Sequence, residues 1–133
     1  MCPEPQNYLP GYPPAVIVHG LAQVRLALAI GRPVTLLSCA GAANSWGCLW
    51  WQNLLAAASY SGPALLDCGS SPGRAVEALE LGLTGIVLQA GPLWAEIAGL
   101  AAQKQAILLA AAPPALDLDE KHTQRGLLAW LGG

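Results

Sequence analysis

The chain has 133 residues, of which 54% are hydrophobic and 11% are charged, and its formal net charge is −2. Its length fits one domain with a single core, and its charged share is less than half of the roughly 25% that is usual. With only 6 lysines and arginines in all, the chain has no basic stripe that would neutralise a phosphate backbone, so nucleic acid is not expected as a partner. The apolar excess predicts instead contact with a second copy of the chain, most simply in a homodimer.

The longest apolar stretches, 21–31 and 106–114, fall short of the roughly 18 to 20 residues that span a membrane, so no membrane association is expected. The proline-rich stretch 1–14 has neither the basic nor the apolar region of a signal peptide, and it predicts an extended arm before a single domain at 15–133. Four cysteines without a CxxC pair favour reduced thiols and a cytoplasmic location. We expect no metal or cofactor.

The elements alternate along the chain between short apolar runs and helical stretches. The pattern predicts strands at 15–18, 33–38, 64–67, 85–89 and 106–110. Helices are predicted at 21–31, 48–60, 73–82 and 92–103, with a final amphipathic helix in the tail 118–133. The glycine-containing stretch 39–47 is predicted to be a loop.

This alternation predicts an α/β fold of about five parallel strands in βα units, buried on both faces of the sheet. Two strand arrangements fit it. We favour a three-layer, doubly wound sheet of flavodoxin-like order. The alternative is a run of neighbouring βα units like half of a (β/α)8 barrel, which would leave a concave apolar face and two open strand edges.

In both arrangements ligands bind beyond the carboxyl ends of the strands. The polar or reactive residues at those ends are His19, Cys39, Asp67, Cys68 and Gln89. For catalysis, Asp67 and His19 are the candidate bases and Cys68 is the candidate nucleophile. A structural interpretation of Asp67 stays open beside the catalytic one, because an aspartate in such a turn readily accepts backbone N–H bonds.

The loop "GSSPGR" after Asp67 offers backbone N–H groups, hydroxyls and a guanidinium close to a predicted helix start, which suits a small anionic ligand. The same residues are also typical of an ordinary helix start, with Ser71 before the helix and Pro72 in its first turn. Trp46 in the preceding loop is a candidate lid over a ligand. The candidate ligand-binding residues are Cys39, Trp46, Gly69, Ser70, Ser71, Gly73, Arg74 and Gln89.

Three resemblances attach to particular stretches of the sequence. "DCGSSPGRAVEALELG" resembles small uncharacterised proteobacterial α/β proteins with Asp-Cys-Gly at a strand end, which implies a shared fold and no activity. "LLDCGSSPG" resembles the phosphoacceptor region of response-regulator receiver domains, but the acidic pair, the Thr or Ser and the Lys that receivers need are absent, so the resemblance is to a degenerate receiver. The stretch 82–118 is similar to βα units of aldolase-type barrels, although no lysine lies on a strand.

Two functions are consistent with these observations. The first is a self-associating ligand-binding or interaction module. The alternative is an enzyme that acts on a small anionic or phosphorylated metabolite at the carboxyl ends of the strands, with Asp67 as base and Arg74 as anion holder. Whether the protein is an enzyme is left open by the sequence.

Overall fold

A computed structural model describes residues 11–118 and 124–132 of the chain. The strands in these ranges are β1 (Ala15–Ile17), β2 (Thr35–Leu37), β3 (Ala64–Asp67), β4 (Gly85–Val87), β5 (Ile107–Leu109) and β6 (Ala115–Asp117). The helices are α1 (Leu21–Ala29), α2 (Ala42–Trp46), α3 (Cys48–Ala57), α4 (Pro72–Glu80), α5 (Trp94–Lys104) and α6 (Gln124–Trp130). Residues 1–10 of the predicted arm lie outside the described part of the chain.

The predicted α/β class, with parallel strands in βα units, is confirmed. All strand pairs are parallel and form one sheet in the order β5-β4-β3-β2-β1-β6. Strands β1 to β5 therefore lie side by side in chain order, as in the alternative of a run of neighbouring βα units. This strand order differs from the favoured flavodoxin-like one, in which β1 would lie between β2 and β3. The described residues contain six strands where the sequence pattern predicted about five.

Two short elements were not predicted. The three-residue strand β6 follows Pro113 and Pro114 and ends in Asp117, and a run so short shows no apolar periodicity. It exists because β1 pairs with it, with Ile17 opposite Asp117. Helix α2 lies inside the stretch 39–47, where a loop was expected, and its five residues are again too few for a periodic pattern.

The connection between β5 and β6 requires the sheet to curl. Only residues 110–114 join Leu109 to Ala115, a connection that reaches about 22 Å when fully extended. In a flat sheet the two edge strands would lie five spacings apart, about 24 Å, and the chain must also return from the carboxyl end of β5 to the amino end of β6. Since the connection is too short for that path, the two edges must lie closer together than in a flat sheet.

The two faces of the curled sheet pack differently. Val16, Leu36, Leu66 and Ile86 contribute to one face, which meets buried residues from all of the described helices; we call this cluster the helix-side core. The opposite face forms a separate inner cluster that contains no residue of the described helices. The inner cluster consists of Leu37, Leu65, Val87 and Leu109, with Ile17, Ile107 and Ala115 packed against them.

Gly85 shows how tightly the inner face is packed. A Cβ at this position would lie 2.6 Å from Leu65 Cδ2 and 3.2 Å from Ile107 Cβ. Gly85 is fully buried, so the Leu65 side chain occupies the space above it. A leucine and a glycine on neighbouring strands therefore fill one position of the inner layer together.

The amino end of the sheet is tied to both termini of the described chain. Thr35 donates a backbone and a side-chain hydrogen bond to the carbonyls of Pro14 and Pro13, at 2.9 and 2.8 Å. Trp130 of α6 donates its indole N–H to the carbonyl of Ala15 at 2.7 Å. Within the described ranges, no helix combines the length and apolar character needed to cross a membrane.

Candidate functional site

A polar cleft of about 540 Å³ lies at the carboxyl ends of β2 to β5. Val87 lines the cleft and also belongs to the inner cluster, so the cleft opens directly above the inner face of the curled sheet. Its volume falls within the range of small-molecule sites. The described residues that line it are Ala40, Gly41, Asn44, Asp67, Gly69, Ser70, Val87, Gln89, Ala110, Ala111 and Ala112.

Asp67, the last residue of β3, is held in place on one side of the cleft. Its Oδ1 atom accepts hydrogen bonds from the backbone N–H of Gly69, at 2.8 Å, and of Gly41, at 3.1 Å. Its own backbone N–H donates to Ser38 Oγ at 2.9 Å. Both hydrogen bonds to the carboxylate end on Oδ1, and Oδ2 accepts none from the described residues. Asp67 is therefore at once a turn-forming residue and a cleft residue.

Three further polar side chains face the same space. Asn44 on α2 donates its side-chain amide weakly to the carbonyl of Cys68, at 3.4 Å, which leaves its Oδ1 atom for other partners. Gln89 follows β4, and its backbone N–H donates to the carbonyl of Gly69 at 2.8 Å. Ser70 and Gln89 are both exposed lining residues of the cleft. Together with Asp67, these groups supply both hydrogen-bond donors and acceptors.

An apolar pocket of about 330 Å³ adjoins the polar cleft. It lies between the start of α4 and the connection from β4 to α5. Ser70 and Gln89 line both spaces, so the two meet at these residues. The remaining lining residues of the pocket are Pro72, Leu88, Gly91, Pro92, Leu93 and Trp94.

His19, a predicted catalytic residue, is engaged away from the cleft. Its Nε2 atom lies 2.7 Å from Asp117 Oδ1 of β6, and its backbone N–H donates to Gln23 Oε1 at 2.7 Å. His19 follows β1, which is two strands from Asp67 on β3, a separation of about 10 Å in the sheet. It does not line the polar cleft. The structure thus does not bring the two candidate bases together.

The three cysteines among the described residues lie outside the cleft. Cys68 is fully buried in the helix-side core, where burial, with the nearby Cys48 thiol and Asp67 carboxylate, raises its pKa to about 12. Cys48 is also buried, and its pKa is raised to about 12 by burial and by Glu77. Cys39 is half-buried. A thiol with a raised pKa is protonated at neutral pH, which opposes the role of nucleophile predicted for Cys68.

The remaining candidates lie on the surface around α4 and α2. Arg74 pairs with Glu77 one turn along α4, at 3.2 Å, and Gly73 beside it is exposed. Ser71 occupies the position before the helix, as predicted, but its side chain makes no capping hydrogen bond. Trp46 is 64% exposed and lies 6.0 Å from the ring of Trp50. None of these residues lines the polar cleft.

Of the predicted set, the structure gathers Asp67, Gly69, Ser70 and Gln89 in one cleft. Sequence reasoning missed Asn44 and Gly41, although both lie in the stretch 39–47 that drew attention because of Trp46. The signal available was a polar residue shortly after the end of a strand, in a stretch assigned to a loop. Sequence reasoning also missed the wall formed by Ala110 to Ala112, because alanine has no polar or reactive group that would mark a site.

Comparison with known proteins adds no relative, since no family model, curated protein or solved structure matches this chain. Among residues 11–118 and 124–132, no three His, Cys, Asp or Glu side chains are grouped so that they would hold a metal ion. The resemblances named from the sequence remain predictions. The geometry of the cleft is therefore the basis on which a function can be inferred.

Proposed function

We propose that the protein is a binding module for a small, uncharged polar molecule, which it holds in the polar cleft. The observation that carries this proposal is the position of Asp67. Its Oδ1 atom is bound to the N–H groups of Gly41 and Gly69, which fixes the carboxylate, while Oδ2 accepts no hydrogen bond from the described residues. A fixed acceptor at the wall of a cleft favours a ligand that donates hydrogen bonds, such as a hydroxyl-bearing molecule.

The charges around the cleft favour an uncharged ligand over an anion. Among the described lining residues there is no Lys, Arg or His, and Asp67 contributes a negative charge. Arg74, the expected anion holder, pairs with Glu77 instead. The N–H of Gly69, which was expected to help hold an external anion, is bound to the carboxylate of Asp67. The carboxylate of Asp67 thus occupies the N–H group that an external anion would need.

Binding requires fewer side chains to meet in one space than the catalytic alternative does. The enzyme hypothesis requires Asp67, His19 and Arg74 to reach one space, whereas His19 pairs with Asp117 and Arg74 with Glu77. Binding requires only a fixed acceptor and the amides of Asn44 and Gln89. We place this module in the cytoplasm as a homodimer; the reduced thiols of the buried Cys48 and Cys68 support the compartment, and the low charge supports the dimer.

Titration with methyl β-D-glucoside, an uncharged hydroxyl-rich probe, tests the proposal by amide NMR. We expect shifts centred on the amides of Gly41, Gly69 and Gln89. The variant Asp67→Asn keeps an Oδ1 acceptor for the turn but removes the negative charge, so binding should weaken at least threefold. Glu80→Gln is the matched control, since Glu80 is an exposed carboxylate on α4 outside the cleft lining.

Two results would contradict the proposal. The first is an absence of shifts at the cleft amides, or shifts that Asp67→Asn and Glu80→Gln change equally. The second is stabilisation by inorganic phosphate that disappears in Arg74→Ala, because that result would favour the anionic ligand of the enzyme alternative.

A further inference from the structure

We infer that the ligand is amphiphilic: a hydroxyl-bearing head lies in the polar cleft and a compact apolar group lies in the adjoining apolar pocket. This inference rests on the proposed function and adds the chemical class of the ligand. It is carried by the position of the two spaces, which adjoin each other and share Ser70 and Gln89 as lining residues.

The chemistry of the lining changes across these two shared residues. On the cleft side lie the carboxylate of Asp67 and the amide of Asn44. On the pocket side the side chains are hydrocarbon or aromatic, among them Leu88, Leu93 and Trp94. Ser70 and Gln89 carry polar groups at the boundary. A molecule with one polar end and one apolar end matches this sequence of surfaces, whereas a wholly polar molecule would leave the apolar side chains in water.

The size of the apolar pocket sets the size of the apolar group. Its volume of about 330 Å³ equals that of roughly ten water molecules at about 30 Å³ each. A phenyl ring or a short alkyl chain fits this space. The indole of Trp94 and the ring of Pro92 offer flat surfaces, on which an aromatic ring packs well.

Two of the residues that line the pocket are anchored in the helix-side core. Trp94 begins α5 and packs against the helix-side core, and Leu88 is 3% exposed. Leu93 is 49% exposed, so this side chain forms the outer wall. Insertion of a ring between Leu88 and Leu93 would remove apolar surface of the protein as well as of the ligand from water.

The test compares phenyl β-D-glucoside with methyl β-D-glucoside by calorimetric or NMR titration of the full chain. We expect phenyl glucoside to bind at least tenfold more tightly, because its ring enters the apolar pocket. Leu93→Ser and Trp94→Ala should each remove this advantage and leave the affinity for methyl glucoside unchanged. Since Leu93 is half exposed, Leu93→Ser keeps the test valid if Trp94→Ala does not fold. Leu26→Ser, at a 45% exposed leucine on α1, is the matched control.

The outcomes separate this inference from the proposed function. Equal affinities for the two glucosides would overturn the inference and leave the proposed function standing. The inference is also overturned if the phenyl advantage survives in Leu93→Ser and Trp94→Ala, because the ring then lies elsewhere. If neither glucoside binds, the proposed function fails and the inference fails with it. If Asp67→Asn weakens methyl glucoside but not phenyl glucoside, the head and the ring do not occupy adjoining spaces, and the inference fails alone.

Discussion

Asp67 and Gly41 join the ends of two neighbouring strands: Oδ1 of Asp67 accepts the backbone N–H of Gly41 at 3.1 Å, across from β3 to the residues that follow β2. The same oxygen accepts the N–H of Gly69 at 2.8 Å, so one atom fixes two turns. Both turns belong to the wall of the polar cleft. The carboxylate therefore shapes the site before any ligand enters it.

Removal of this oxygen should destabilise the protein. In Asp67→Ala the N–H groups of Gly41 and Gly69 lose their acceptor, and a lost partner for a partly buried donor costs about 1 to 3 kcal/mol. In Asp67→Asn the Oδ1 acceptor remains, so the free energy of unfolding should fall by less than in Asp67→Ala. Urea unfolding of the two variants measures the difference. Equal loss in both variants would contradict the argument, because the negative charge and not the acceptor atom would then be the stabilising feature.

The position of Asp67 at the carboxyl end of a strand was predictable from the sequence, whereas the direction of its side chain was not. An apolar run that ends in a polar residue places that residue at the carboxyl end of a strand, and Asp67, Gln89 and His19 all lie there. The partners of Asp67 depend on how the residues after β2 fold. Since α2 is only five residues long, the sequence around it shows no helical periodicity. The hydrogen bond from Gly41 to Asp67 therefore could not be predicted.

The pairing of charged residues was likewise not predictable from position along the chain. Arg74 lies seven residues after Asp67 and was expected to face the same space, but Glu77 one turn further along α4 binds it instead. His19 finds its partner Asp117 98 residues away. That contact depends on the pairing of β6 with β1 at the edge of the sheet. A strand of three residues is too short to be predicted from the sequence pattern.

The packing of the inner cluster leads to a second prediction, which concerns a substitution at Gly85. An added Cβ would lie 2.6 Å from Leu65 Cδ2 and 3.1 Å from the carbonyl oxygen of Ala64. Since backbone on one side limits how far the strands yield, Gly85→Ala should lower the free energy of unfolding by about 1 to 3 kcal/mol. Gly99→Ala is the control: Gly99 lies in α5 with no atom within 4 Å of an added Cβ, so stability should rise by up to about 1 kcal/mol. A Gly85→Ala variant as stable as the parent would show that the inner layer is loosely packed.

The contact between His19 and Asp117 should stabilise the edge strand β6 against β1. Their atoms lie 2.7 Å apart, with the side chains 28% and 33% exposed, so solvent weakens the interaction. A double-mutant cycle with His19→Ala and Asp117→Ala should give a coupling energy of about 0.5 to 1 kcal/mol. The cycle is needed because Asp117 makes a further interaction, which the single variant also removes. A coupling energy indistinguishable from zero would mean that backbone pairing alone holds β6.

Self-association is expected to involve the surface around Trp46. No charged residue lies between Arg32 and Asp67, so nothing on this stretch would repel a second copy. Trp46 is 64% exposed, Leu49 is 55% exposed, and the Trp46 ring rests beside Trp50 at 6.0 Å. Light scattering should give twice the chain mass of 13.7 kDa for the parent and for Leu26→Ser, and the monomer mass for Trp46→Ser. A parent that stays monomeric at high concentration would remove the proposal.

Alkaline pH should destabilise the fold through two buried thiols and one half-buried phenol. Burial raises the pKa of Cys48 and of Cys68 from 9.0 to about 12, and that of Tyr60 from 10.0 to about 12. Below about pH 9 the folded and unfolded chains both keep these protons, so the groups contribute no pH dependence there. Between about pH 9 and 12 the unfolded chain releases them while the folded chain does not. The free energy of unfolding should therefore fall as the pH rises through this range.

Urea unfolding at about pH 8 and about pH 10.5 measures this loss, and Tyr60→Phe isolates the share of the phenol. The Tyr60 hydroxyl lies 2.8 Å from the carbonyl oxygens of both Val34 and Pro63, which share its single O–H donor, so Tyr60→Phe should be less stable than the parent at pH 8. Its further loss on going to pH 10.5 should nevertheless be smaller, because phenylalanine has no proton to release in the unfolded chain. If the parent and the variant lose the same amount, Tyr60 ionises in the folded protein as readily as in the unfolded one, and the phenol is not protected by burial.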